Sequence, residues 1–197
     1  MATSPEPASL RERARRAVQS ELLDVAQTLF VEHGYEAVTV DQIATAAGMS
    51  KRSFFRYFAS KDALVLGKYD RQGEAFAEAL KARPESEAPW TALRRMFDDV
   101  VLYISDPERA KKANELTRVI QGSETLRAGY LERMQRSQQH IVDVLLTRTG
   151  TSLGKLEAEA LVAAAFAALS AANAHAATTS TPFNKAVDEA MNAIRPL

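Results

Sequence analysis

Apolar residues recur at three- and four-residue spacing along almost the whole chain, and no stretch alternates apolar and polar as a half-buried strand would. That pattern confines the fold to packed helices, because a helix brings every third or fourth residue to one face and a strand every second. Val18, Leu22, Val25, Ala26 and Leu29 form a first stripe, closed at His33-Gly34 by a residue type that ends helices. Thr39 is placed to cap a short helix over Val40–Ala46, and Gly48 lies where a tight turn needs positive φ. Ser50 caps a second short helix to about Phe58, and Ser60 a longer one to about Arg83. Prolines bound a polar stretch from Arg83 to Pro89, the best linker in the chain. Pro89 then suits the first turn of a helix bearing Leu93, Phe97, Val100, Val101 and Ile104, and Asp106-Pro107 opens the next, to about Gly122. Ser123 starts a long helix stopped at Gly150, Ser152 or Gly154 an Ala-rich one to about Ala177, and Pro182 a last one with Phe183, Val187, Met191 and Ile194. The expected fold is all-α with about nine helices.

Charge and composition narrow the function. The 197 residues hold 25 basic and 25 acidic side chains, so bulk charge points to no nucleic-acid partner. Distribution says more. Arg11, Arg13, Arg15 and Arg16 cluster early, and Lys51, Arg52, Arg56 and Lys61 precede Asp62 with no acid among them. Two basic patches in a neutral chain suit focused phosphate contact. The absence of cysteine excludes disulfides, zinc-thiolate sites and a thiol nucleophile. The polar start, Met1–Ser9, lacks a signal core, and the Ala-rich run is broken by Ser170, Asn173 and His175, so the expectation is a cytoplasmic protein without a membrane span.

Two short helices joined by a glycine-containing turn are the DNA-reading helix-turn-helix. Ile43, Ala44, Ala47 and Met49 supply one apolar face, and Phe54 and Phe58, four residues apart, return another. The opposite face of the second helix carries Lys51, Arg52, Phe55 and Arg56, flanked by Ser53 and Tyr57: cations and an aromatic, without acids, as a major-groove helix requires. A solvated basic face is the alternative from spacing alone.

The stretch from Val18 to about Leu66 resembles the N-terminal domain of the TetR family. The matching residues are Leu29-Phe30, Gly34-Tyr35, Thr39, Ile43-Ala44, Ala47-Gly48-Met49-Ser50, Phe58, Ser60-Lys61 and Leu64. The resemblance implies a homodimeric transcription factor, usually a repressor, whose C-terminal helices bind a small molecule and dimerise; it implies no cofactor. It divides the chain into an N-terminal arm (1–10), a DNA-binding domain (11–66) and an effector-binding and dimerisation domain (67–197). It places phosphate contacts at Thr39, Tyr57 and Lys61 and groove-facing positions at Lys51, Arg52, Ser53, Phe55 and Arg56. The family usually has tyrosine where this chain has Phe55, so Tyr57 is the candidate to supply the phenol. Phe55 is left to meet a thymine methyl. Arg11–Arg16 are either a flexible phosphate-gripping arm or the solvated start of the first helix.

The Ala-rich helix is apolar almost all round, and such a helix must be covered on more than one side. A second subunit is one cover, with Leu161, Ala165, Phe166 and Leu169 meeting Phe183, Val187 and Met191 in a four-helix interface. The other possibility is the central helix of a monomer. Candidate effector-binding residues are Trp90, Phe97, Tyr103, Arg118, Gln121, Tyr130, Met134 and Asn173, bulky or hydrogen-bonding groups on the intervening helices; each is also explicable as ordinary core or surface. The run Phe54–Phe58 resembles an actinobacterial branch associated with acyl-CoA-like ligands.

An all-helical enzyme is the rival class. His33, His140 and His175 form no metal-binding pair on one helix. Ser152 and Lys155 make a Ser-x-x-Lys tetrad without its companion motifs. Gly150–Lys155 is one residue short of a phosphate loop, with Leu156 in place of the hydroxyl and no preceding strand. A purely structural adaptor would leave the basic helix unexplained. The reading is a ligand-responsive DNA-binding regulator whose partners are an operator duplex, a small-molecule effector and a second copy of itself.

Overall fold

The computed structural model describes residues 9–148 and 153–194, and all regular structure in them is helical. Residues 1–8 of the expected arm, the helix stop at Gly150 and the alternative cap Ser152 lie outside the described residues. The elements are α1 (Leu10–His33), α2 (Val40–Ala46), α3 (Lys51–Phe55), α4 (Lys61–Lys81), α5 (Pro89–Arg95), α6 (Asp98–Ile104), α7 (Pro107–Gly122), α8 (Glu124–Thr147), α9 (Lys155–Ala176) and α10 (Phe183–Ile194).

The ends follow local chemistry. Ser9 and Glu12 form a capping box on α1, so Arg11–Arg16 are exposed residues of a regular helix, not an arm. Thr39 and Gln42 form a second box on α2, and Ser50, Ser60, Asp106 and Ser123 each accept a first-turn amide. The tenth helix arises where the expected Pro89–Ile104 helix breaks at Met96–Phe97. There the amide of Phe97 bonds back only three residues, to Arg94 O at 3.3 Å, and the ring turns fully into the core. It meets Phe76 and Phe166 edge-on at 5.0 and 5.6 Å.

Two apolar cores result. The first holds Leu22, Ala26 and Phe30 of α1, Ile43 and Ala44 of α2, Phe54, Phe58 and Leu64–Leu66; Leu116 and Ile120 of α7 and Leu126 of α8 complete it. The second unites α4, α5, α6, α8, α9 and α10 around Phe76, Phe97 and Phe166. The continuous helix α4 runs from one core into the other. Buried Arg148 caps its far end, donating to the carbonyls of Leu80, Arg83 and Pro84 at 2.9, 3.3 and 2.6 Å. Helix α9 is long and apolar enough to cross a membrane by length and composition, yet it packs on α8 and α10 with Ala158, Val162, Ala165, Phe166, Ala168 and Ala172 in the core.

Helices α4 and α8 approach closely where Gly73 faces Ser137. A Cβ on Gly73 would fall 2.7 Å from the Ser137 hydroxyl and 2.9 Å from its Cβ, which cannot rotate away. Alanine is the better helix former by about 0.8–1.0 kcal/mol. Gly73→Ala is nevertheless expected to destabilise the protein by about 1–3 kcal/mol through overpacking. Denaturant unfolding checks this, and a gain in stability would contradict the close approach.

Candidate nucleic-acid interface and ligand cavity

The reading unit is small. Helix α2 ends at Ala47, Gly48 takes φ +66°, and the Met49 amide donates to Ala44 O at 2.9 Å, closing the turn. Ser50 caps α3 by accepting the Ser53 amide, and the two hydroxyls lie 3.0 Å apart. The regular helix ends at Phe55, short of the expected Phe58. The Tyr57 and Phe58 amides both donate to Phe54 O, adding one tightened turn.

Phe54 and Phe58 are buried, and this fixes the orientation of the helix. Lys51, Arg52, Phe55 and Arg56 are all exposed on its other side, with Ser53 and Tyr57 half-buried at the flanks. Phe55 is 47% exposed and stands edge-on against Phe54 at 5.5 Å, which stiffens an apolar group in the basic face. Lys51 pairs with Asp41 of α2 at 2.9 Å, so an approaching phosphate would compete with that carboxylate. Arg52 and Arg56 form no ion pair among the described residues, and their full charge faces outward. Thr39 is exposed, with its hydroxyl engaged in the capping box. The Tyr57 ring packs on the first core, and its carbonyl accepts from Gln19 at 3.3 Å.

Lys61 has a second task that its position in the sequence does not reveal. Its ammonium donates to the carbonyls of Tyr35 and Val38 at 2.7 and 2.8 Å and lies 4.1 Å from the centre of the Tyr35 ring. Tyr35 in turn donates to Asp62, and burial with that carboxylate drives its phenol far above the ordinary range. The two contacts staple the loop before α2 to the start of α4. Two of the three lysine donors are thereby committed.

Behind the reading unit lies a cavity of about 650 Å³, within the range of small-molecule sites. Its wall includes Arg16 and Leu23 of α1, Phe58, Lys68 and Phe76, Thr117 and Ile120 of α7, and Phe166 of α9. Of the candidate effector residues, Tyr103, Gln121, Tyr130, Met134 and Asn173 line it. Trp90, Phe97 and Arg118 do not. Trp90 donates to Met191 O at 3.3 Å, Phe97 is consumed by the aromatic core, and Arg118 is exposed on α7. The α1 residues belong to a helix that the sequence assigns to the DNA-binding domain, whereas the α4 residues Lys68 to Phe76 lie within the expected effector domain but carry no motif that marks a cavity wall.

Within the protomer, the expected interface residues Ala165, Val187 and Met191 are covered by their own chain at 0–2% exposure, and Leu161 packs partly against the same core. Phe166, Leu169 and Phe183 line the cavity. The strong amphipathicity of α10 turns Phe183, Ala186, Val187 and Met191 onto α9, so these residues are spent within the protomer. What α9 leaves uncovered is another stripe: Leu156, Ala160, Ala163, Ala167, Ala171 and Ala174.

Comparison with known proteins agrees with this geometry. Residues 22–67 match the model of bacterial regulatory proteins of the tetR family, and residues 87–196 match that of the MftR C-terminal domain. The chain is 33% identical over 155 residues to the HTH-type transcriptional regulator TcmR of Streptomyces glaucescens, covering 77% of this chain and 69% of that protein. The fatty acid degradation regulator FadR of Bacillus halodurans is similar in fold, with a TM-score of 0.63, 16% identity, and 98% and 96% of the two chains covered. FadR of Thermus thermophilus, a TetR-family repressor solved in complex with lauroyl-CoA, gives a TM-score of 0.57 at 16% identity over 89% and 92%.

The staple and the basic face separate by experiment. Lys61→Met removes two charge-assisted bonds from half-buried carbonyls and is expected to cost about 1–3 kcal/mol of stability without DNA. Arg52→Ala should leave the melt unchanged and relax preference at particular base pairs by about 1–3 kcal/mol. Thermal melts and duplex competition check both; an unaltered Lys61→Met melt would return that ammonium to phosphate contact alone.

Proposed function

Since the chain belongs to the TetR family of bacterial regulatory proteins and is a DNA-binding transcriptional regulator, not an enzyme, we propose that it is a cytoplasmic homodimeric repressor released from its operator by a small molecule held in the cavity. One observation carries this reading. Phe58, Leu64 and Ile120 belong at once to the core of the reading unit and to the cavity wall. A ligand that presses on these three side chains cannot be accommodated without moving the base on which α2 and α3 stand, because packed interiors repack rather than compress.

In this reading α3 lies in the major groove with Lys51, Arg52, Ser53, Phe55 and Arg56 towards the bases. Thr39, Tyr57 and the remaining donor of Lys61 face the backbone. The exposed alanine stripe of α9, ending at Leu156 (79% exposed), meets the same stripe of a second copy, where small side chains let two helices approach closely. The dimer then presents two reading units to half-sites about 34–36 Å apart. Effector binding favours a spacing that misses that distance, and the coupling is a population shift between the two arrangements. An effector with a long acyl chain is supported by the lauroyl-CoA complex of the Thermus FadR, a protein of the same fold.

A duplex selected from a random pool serves as operator. Ala113→Trp adds bulk from α7 into the cavity and is expected to weaken that duplex at least tenfold with no small molecule present, while the melt shows a folded protein. Gel-shift titration checks it. Unchanged affinity in a folded variant would reduce the C-terminal helices to assembly alone.

A further inference from the structure

The cavity is chemically two-ended. Helix α4 runs along it, contributing Lys68 and Arg71 early and Phe76 later; the eight helical steps from Lys68 to Phe76 span roughly 12 Å. Near Phe76 the wall is hydrocarbon, with Met96, Phe166, Leu169 and Phe183. The same wall carries three cations, Arg16 of α1 and Lys68 and Arg71 from the earlier part of α4, and its single lining acid is Asp99 of α6. Such a wall disfavours a wholly apolar guest and a cation alike.

Lys68 is the distinctive member. Its ammonium lies 4.8 Å from the centre of the Tyr69 ring and has no hydrogen bond or ion pair among the described residues. The surrounding protein strips water from it, and this desolvation pushes its pKa down to about 8. No carboxylate offsets that charge, and the one lining acid, Asp99 of α6, forms no ion pair with it. Arg16 faces the cavity from α1, Tyr69 and Arg71 from α4, Asp99 and Tyr103 from α6, and Tyr130 from α8, while α7, α9 and α10 contribute no titratable side chain to the wall. Burial raises the phenols of Tyr69 and Tyr130, so both stay neutral. An unpaired ammonium in a roomy cavity is a charge awaiting a partner.

Given that this cavity is the effector site, we propose that Lys68 is its anion anchor and that the effector is an amphiphilic organic acid, carboxylate at Lys68 and apolar body against Phe76, Phe166 and Phe183. The carboxylate replaces the hydration that burial removed and forms a charge-assisted hydrogen bond. A coenzyme A thioester lacks that carboxylate, and its phosphates could be met only by the exposed arginines, Arg16 and Arg71. The pH dependence has a definite sign. Above about pH 8 the free protein holds Lys68 neutral, so binding must take up a proton and affinity falls as pH rises, by up to about tenfold per unit. Between about pH 6 and pH 7 the ammonium is already charged and the carboxylate is ionised, so affinity is flat.

Calorimetric titration of the intact protein with dodecanoate, 1-dodecanol and lauroyl-CoA tests the assignment. Dodecanoate is expected to bind at least tenfold tighter than dodecanol at pH 7 and to lose at least fivefold between pH 7 and pH 9. Lys68→Met should abolish the preference for the acid. Lys68→Arg should keep it and flatten the pH profile, because guanidinium does not titrate there. Equal binding of acid and alcohol, no binding of dodecanoate, or wild-type preference in folded Lys68→Met overturns the anchor. So does lauroyl-CoA binding tighter than dodecanoate and indifferent to Lys68→Met. If dodecanoate binds through Lys68 yet leaves the selected duplex bound, the anchor stands and the effector-release reading falls.

Discussion

Everything in this molecule depends on an apolar seam between helices distant in sequence. Leu116 and Ile120 of α7 and Leu126 of α8, each at most 2% exposed, fill the base of a core otherwise built from α1 to α4. Fully burying each such side chain is worth about 1.5–3 kcal/mol, so the seam alone rivals a large part of the net stability of a domain. The reading unit is therefore not a bead on a string. Helices α2 and α3 are too short to enclose Phe54, Phe58 and Leu64 between α1 and α4 without a floor, and α7 is that floor.

Polar contacts fix the register of the seam. Gln27, buried in α1, donates to Lys112 O at 2.9 Å and to Glu115 at 3.1 Å. Ser123, buried at the head of α8, donates to Glu36 at 2.7 Å while accepting the Leu126 amide. The Asp24–Lys112 pair at 2.9 Å adds little because both partners are about half exposed. On its other side α7 presents Ala113, Thr117, Ile120 and Gln121 to the cavity. One helix thus lines the cavity and supports the DNA-reading unit, with Ile120 belonging to both. Helix α4 makes a second connection, held at its start by the Lys61 staple and at its end by Arg148.

Sequence periodicity disclosed the all-helical class, the short-turn-short reading unit and the outward basic face of α3, because each depends on local spacing and caps. It did not disclose which stripe of α9 is covered. That helix is apolar all round, so only the packing of α10, set by the strong one-sidedness of Phe183, Ala186, Val187 and Met191, decides which face remains. Arg16 was legible as a charge but not as cavity wall, since α1 is shared between two tasks. Leu64, Lys68, Gln72 and Ala75 recur at helical spacing on α4, and a lysine on a half-apolar stripe was a signal that could have been followed. The break at Phe97 needed the tertiary pull of two other rings.

The central claim is that filling the cavity moves the reading units of a dimer. The absence of cysteine makes this directly measurable, because one cysteine introduced at exposed Thr45 carries a single spin label per protomer. Double electron–electron resonance then reports the distance between the two heads in the otherwise native protein and in the same protein with Ala113→Trp. The account predicts a distribution in the native chain that includes the separation found on the selected duplex, and a shift away from that separation when the cavity is filled. Identical distributions in two folded dimers would contradict it.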